Sequence, residues 1–290
     1  LFTVTLNNAV AAAFTVDADF TDVTATGGAA PLIAPEDYDN ATQTLNFAGT
    51  AGETQQFTVN TLDDAVLETL TETFTVSLTS SNALVDDTDT GIGTITDNDS
   101  AAVTVDDVTA VEGIGLLFTV TLNNAVAAAF TVDASFTDVT ATGGAAPLVS
   151  PEDYDNATQT LNFAGTAGET QQFTVNTLDD AVLETLTETF TVSLTSSNAL
   201  VDDSDTGTGT ITDNDSAAVT VDDVSAVEGI GLLFTVTLNN AVAAAFTVDA
   251  GFTDVTATGG AAPLIAPEDY DNATQTLNFA GTAGETQQFT

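Results

Sequence analysis

The chain contains no lysine, arginine, histidine or cysteine, and each absence closes off a class of function. With no basic side chain, none of its 43 acidic residues has an internal side-chain counter-ion, so a formal charge of −43 must be offset by solvent cations, bound metal or a partner's basic groups. Nucleic acid and anionic membrane surfaces are excluded as partners, because neutralising phosphate takes Lys or Arg. Without His, Cys or Lys there is no imidazole base, thiolate or amine nucleophile, and an enzyme is not expected. A glycosidase using two carboxylates is the catalytic class left open, but there is no tryptophan platform for a sugar and no cleft implied by so regular a pattern. Disulfides are absent, so the redox compartment cannot be read from thiols. There is no apolar run approaching the roughly 18 residues of a membrane span, and no signal peptide. Because the chain opens inside a strand, the missing signal says nothing about export.

What is present is repetition. Leu1-Phe2-Thr3-Val4-Thr5-Leu6-Asn7-Asn8 returns as Leu117 to Asn124 and again as Leu233 to Asn240, a period of 116 residues. That exceeds the roughly 20–50 residues of a solenoid turn and implies one domain per repeat. The chain therefore reads as a window of two and a half copies onto a tandem array. Residues 1–116 and 117–232 differ at six positions: Asp19/Ser135, Ile33/Val149, Ala34/Ser150, Thr88/Ser204, Ile92/Thr208 and Thr109/Ser225. Copies this similar supply length or valency more readily than a new chemistry in each unit.

Acidic chains poor in aromatics are often disordered. Here 43% of residues are hydrophobic, 17 are Phe, and apolar residues alternate with polar ones, which is the pattern of half-buried strands. The complete copy, from about Ala101 to Ser216, shows seven such segments: Ala102–Asp107, Leu116–Asn123, Ala129–Thr140, Ala157–Ala164, Thr170–Leu178, Thr189–Thr195 and Thr206–Thr212. Phe118, Val120 and Leu122 share one face, as do Phe173 and Val175, and Phe190, Val192 and Leu194. Strands with one apolar face and no helical stretches between them predict an all-β fold of tandem β-sandwiches. Asn123-Asn124 is expected to supply left-handed backbone for a tight hairpin, Gly143-Gly144 to break the third segment, and Gly165 with Gly168 to turn between the fourth and fifth. The domains are 1–100, a repeat lacking its first strand; 101–216, complete; and 217–290, truncated after about the fifth strand. Only Asp213 to Ala218 separate the last strand of one copy from the first of the next, so adjacent repeats of the chain should touch end to end, each adding on the order of 30–45 Å.

The acids gather at strand ends and loops: Asp179-Asp180 through Glu188, Asp213-Asn214-Asp215, and Val111-Glu112-Gly113. Hard divalent cations, above all Ca²⁺, take six to eight oxygen ligands, and loops at one pole of a sandwich can bring carboxylates together. The alternative is that these are solvated turn residues that keep strand edges soluble. Adjacent acids at a domain junction favour the cation, because clustered carboxylates repel unless one sits among them.

The run Asp-Asp-x-x-x-Glu, then Glu-Thr-Phe-Thr-Val-x-Leu, then Gly-Thr-Gly-Thr-Ile-Thr-Asp-Asn-Asp, then Val-x-x-Val-Glu-Gly resembles the Calx-beta domain, and the resemblance spans every part of the repeat. It implies an immunoglobulin-like seven-stranded sandwich that binds Ca²⁺ at one pole, and its tandem form resembles that of giant cell-surface adhesins of Bacteroidetes. Position by position it implies metal ligands at Glu112, Asp153, Asp179, Asp180, Glu184, Glu188, Asp213 and Asp215. In the first copy it implies Asp37, Asp63, Asp64, Glu68, Glu72, Asp97 and Asp99, and in the third Glu228 and Asp269. Two departures bear on the metal. Glu184 and Glu188 are four apart where the family commonly has three, which threatens to carry one of them away. The segment Gly144–Glu152, with Pro147 and Pro151, is longer than the usual loop, which makes Asp153 the least secure ligand.

The leading functional expectation is a calcium-stiffened, extracellular stalk or fibre with structural and adhesive roles, whose further partners are other fibres or cell-surface glycans. The second is a direct binding module in which Thr-rich faces or the Pro147–Pro151 loop, with its apolar Leu148 and Val149, recognise glycan, ice or another cell.

Overall fold

The computed structural model describes residues 1–290 and is all-β, without helices. In the complete repeat the strands are β1 (Ala101–Val105), β2 (Val108–Val111), β3 (Leu116–Leu122), β4 (Phe130–Asp138), β5 (Gln159–Phe163), β6 (Thr170–Val175), β7 (Thr187–Ser196) and β8 (Thr206–Thr212). They form two sheets, one in the order β6-β3-β1 with the short pair Val201–Asp202 at its edge, the other in the order β2-β8-β7-β4-β5. The alternation that predicts a buried face is met in β3, β6 and β7, where Phe118, Val120, Leu122, Phe173, Val175, Phe190, Val192 and Leu194 are all buried. The sandwich encloses a cluster of 23 buried residues.

The first predicted strand, Ala102–Asp107, corresponds to β1 alone; the unpredicted β2 follows it directly and lies in the opposite sheet. The two aspartates between them make the crossing. Asp106 accepts the Thr119 N–H of β3 at 2.7 Å, and Asp107 accepts the Thr208 N–H of β8 at 2.7 Å. Consecutive side chains point to opposite sides of a strand, so adjacent acids can fasten one chain to two sheets.

The turns hold one correction. No residue other than glycine has positive φ, so Asn123-Asn124 is not a left-handed hairpin corner. Asn123 Oδ1 instead accepts the N–H groups of Ala102 and Asn124, and Asn124 Nδ2 donates to Ser100 O at 2.8 Å. The two asparagines fasten the incoming chain. Gly165 and Gly168 do take left-handed backbone, with φ of 93° and 74°.

The first copy pairs Phe2–Thr5 with Thr54–Phe57 and carries a four-stranded sheet over an 11-residue buried cluster. In the third, a three-stranded and a two-stranded sheet enclose four fully buried side chains. Between copies, Val66–Leu67 pairs in parallel with Ala125–Val126, and Val182–Leu183 pairs in the same way with Ala241–Val242.

Phe190 shows why β8 alternates with glycine. Its ring stacks on Tyr154 with centroids 4.0 Å apart, and its cross-strand partner is Gly209, where an added Cβ would overlap that ring. Tyr154 is completely buried, and its hydroxyl donates to Asp138 at 2.6 Å. Gly209→Ala is therefore expected to destabilise the complete repeat by about 1–3 kcal/mol through overpacking, read as a lower denaturation midpoint. Thr208→Ala, at the exposed neighbouring position, should stay within about 0.5 kcal/mol.

Candidate metal centre

The acids of the complete repeat meet at one pole because three core-facing rows run out into carboxylates. On β2 the inward row Val108, Ala110 continues to Glu112, and on β8 the row Gly207, Gly209, Ile211 continues to Asp213 and Asp215. On β7, Glu188 precedes the inward row Phe190, Val192, Leu194. A period-two strand keeps these positions on the core side even where the residue is an acid. Glu112 is the one polar residue that is fully buried, 7% exposed.

Two clusters result. Asp153, Glu184 and Glu188 each place a carboxylate oxygen within 4.8 Å of the others, and Glu112, Asp180 and Asp215 do the same. Asp37, Glu68 and Glu72 form the first copy's counterpart of the former. At such separations, two unit charges in an effective dielectric near 20 repel by on the order of 3 kcal/mol before screening. A cavity of about 10 Å³, room for one water-sized sphere, lies among Glu112, Asp153, Glu184, Glu188 and Asp213.

Both departures from the family pattern are accommodated. The chain leaves strand geometry between Leu183 and Thr187, and this irregular turn absorbs the extra residue so that Glu184 and Glu188 face the same cluster. Asp153 is held across the base of the long loop by the backbone that enters it: its Oδ2 accepts the Thr142 N–H at 2.6 Å and its own N–H donates to Thr142 O at 2.7 Å. Glu152 Oε2 in turn accepts the Val149 N–H at 3.0 Å, closing the loop on itself.

Of the other implied ligands, Asp213 lines that cavity and the rest stand outside both clusters. Asp213 is spent on backbone, accepting the N–H groups of Glu184 at 2.8 Å and Asp215 at 2.7 Å, which ties the two clusters together. Asp179 is exposed and accepts Asn214 Nδ2 at 3.4 Å. In the first copy, which has no counterpart of Glu112, Asp63, Asp64, Asp97 and Asp99 form no cluster. Asp97 bonds the Glu68 and Asp99 N–H groups, Asp63 accepts Asn98 Nδ2, and Asp64 accepts the Val66 N–H. In the third, Glu228 and Asp269 are exposed and belong to no such cluster. The backbone of Thr142 and Asn214 was not signalled by residue type: their N–H groups position Asp153 and Glu112, the latter at 2.9 Å.

The electrostatics match the crowding. Burial first, then neighbouring carboxylates, push Glu184 and Glu68 up to about 7. Glu188 is raised by burial and by the charge and hydrogen bond of Asp153, and Asp153 itself is raised by burial. Burial also raises Glu112, partly offset by the Asn214 N–H. Asp215 lies shallow, yet its Oδ2 is shut off from solvent without a hydrogen-bond partner. A closed, donorless carboxylate oxygen beside two further carboxylates is what a hard cation would satisfy, and an all-oxygen donor set suits Ca²⁺. The residues present fit that ion: Asp153, Glu184 and Glu188 could hold one, and Glu112, Asp180 and Asp215 another.

The fold and site together define an all-β tandem sandwich with acidic clusters at its poles. No family model matches the chain, and no curated protein matches it. Among solved structures it is similar to the apo form of the Calx CBD1 domain, at 21% identity over 40% of this chain and all of that one, with a TM-score of 0.33. It is also similar to the calcium binding domain CBD12 of CALX1.1, at 15% identity over 73% of this chain and 91% of that one, TM-score 0.29.

Glutamates raised from the ordinary value of 4.5 to about 7 mean that the metal-free folded chain binds more protons than the unfolded one. Their favourable contribution is complete below about 4.5 and disappears as pH rises through about 7. In chelator, the melting temperature is therefore expected to fall between pH 5 and pH 8. Glu184→Gln should flatten that slope. A metal-free melting temperature that rises across this window would contradict the reading of the cluster.

Proposed function

We propose that the chain is a run of Calx-beta-like, calcium-binding repeats forming a stiffened stalk or fibre of a large secreted cell-surface protein. The observation that carries this reading is the Glu112–Asp180–Asp215 cluster with its closed, unpartnered Asp215 Oδ2. Asp215 lies in the six-residue stretch that leads into the next repeat. A cation there cancels repulsion at the point where two sandwiches meet and fixes the chain that joins them. The second cluster secures the loop that carries Glu184, which follows directly on the Val182–Leu183 pair reaching into the next copy. In a protein without basic side chains, metal is the counter-ion that can enter these sites.

This role is structural and non-catalytic. Projection of an adhesive tip, lateral association with other fibres and many weak contacts with cell-surface glycans are its proposed uses, in an extracellular setting where calcium is abundant. Near-identical repeats multiply a weak contact by valency.

Titration of the chain with Ca²⁺, following melting temperature and small-angle scattering together, tests the reading. The expected outcome is a rise in melting temperature with a longer, stiffer particle, both reversed by chelator. Asp215→Asn is expected to remove most of the stiffening while the Asp153–Glu184–Glu188 site still binds. Unchanged melting and dimensions at millimolar calcium would reduce the clusters to solvated acids and sink the proposal.

A further inference from the structure

We infer that a repeat completes the hydrophobic core of the one that follows it through a donated leucine: Leu67 enters the core of the second copy, and Leu183 makes the same main-chain pairing with the third. Leu67 belongs by sequence to the first copy, yet it has no place in that copy's 11-residue buried cluster. It is 3% exposed and is part of the 23-residue core of the second copy. Main-chain bonds hold it there. Val66 and Leu67 pair in parallel with Ala125 and Val126, and the Ala127 N–H donates to Leu67 O at 2.9 Å.

The arrangement recurs 116 residues on. Leu183 pairs with Val242, and its carbonyl accepts the Ala243 N–H at 3.0 Å. Leu183 is half-buried and stands outside the four-residue buried cluster of the third copy, so at that junction the main-chain pairing is present without the core insertion. A second fastening also repeats: Asn124 Nδ2 to Ser100 O, and Asn240 Nδ2 to Ser216 O, both at 2.8 Å. The same register at both junctions marks a built contact. It is made of an apolar side chain and peptide groups, with no carboxylate, so it stands independently of the calcium reading.

The contact is one-sided. Truncating Leu67 leaves the core of its own copy untouched and opens a hole in the next. A buried leucine cut to alanine loosens its domain through lost transfer energy and a residual cavity, and the loosening is read as faster amide exchange throughout the unit that opens. Leu67→Ala in the 290-residue chain, in chelator, with hydrogen exchange followed by mass, makes the test. Asp19 against Ser135 and Ile92 against Thr208 let peptides of the two copies be told apart. Exchange in Phe130–Asp138 and Thr206–Thr212 is expected to accelerate on the order of tenfold or more, while Phe14–Asp22 and Thr90–Thr96 are unchanged. Leu84→Ala, at a position 95% exposed, should move neither set, and Leu67→Val should give the same pattern in weaker form. Unaltered exchange in the second copy, or loosening centred on the first, overturns the inference.

Discussion

The constraint on which this structure turns is that its carboxylates must be accommodated without a single cationic side chain. The fold does this in two ways. Glu169 is wrapped by the N–H groups of Ala164, Gly165 and Thr166 and is held below the usual carboxylate range, as are its counterparts Glu53 and Glu285. Backbone dipoles serve there as the missing positive charge. At the sandwich pole the acids outnumber the available donors: Asp213 and Asp215 follow the inward row of β8, Glu112 ends that of β2, and the N–H groups in reach are taken by one carboxylate each. The first kind of site is finished by the polypeptide itself. The second is left open, and burial and mutual repulsion raise its glutamates.

Much of the sandwich was legible because its alternation is so regular. Phe118-Val120-Leu122 and Phe190-Val192-Leu194 could be assigned to the core from period two alone, and the strands around them follow. What the pattern could not show was the change of sheet between β1 and β2, since Asp106 and Asp107 have the same composition as an ordinary turn and only their bonds to Thr119 and Thr208 make them a crossing. Asn123-Asn124 misled for a related reason: asparagine suits left-handed turns, but its side chain is also a backbone mimic, and here that second property decides the conformation. Tertiary partners made the choice in both cases.

The candidate site divides along the same line. Residue type and clustering pointed to this pole, and the acids that come together there all belong to the implied set. Sequence could not sort ligand-like acids from those spent on backbone: Asp179 and Asp180 are neighbours of identical chemistry, yet one is exposed and the other sits in a cluster. Nor could it settle the fate of the long loop. The hydrogen bond from Val149 N–H to Glu152 and the pair of hydrogen bonds between Thr142 and Asp153 turn an apparent excess of chain into a brace, and the spacing of Glu184 and Glu188 is absorbed where β7 has not yet begun. These are properties of backbone geometry, which composition does not carry.

None of the six substitutions between the first two copies falls on a fully buried residue. The interior of one sandwich is therefore an equally good mould for the strands of its neighbour, and side-chain shape cannot tell a strand's own domain from the adjacent one. Adjacent domains of matching sequence are prone to exchanging elements as they fold. In this array the discrimination falls to connectivity: a six-residue joint from Asp213 to Ala218, tied down by asparagine on the far side, leaves little slack for a strand to reach the wrong sandwich. The brevity of the joint does for folding fidelity what sequence divergence does in arrays whose repeats have drifted apart.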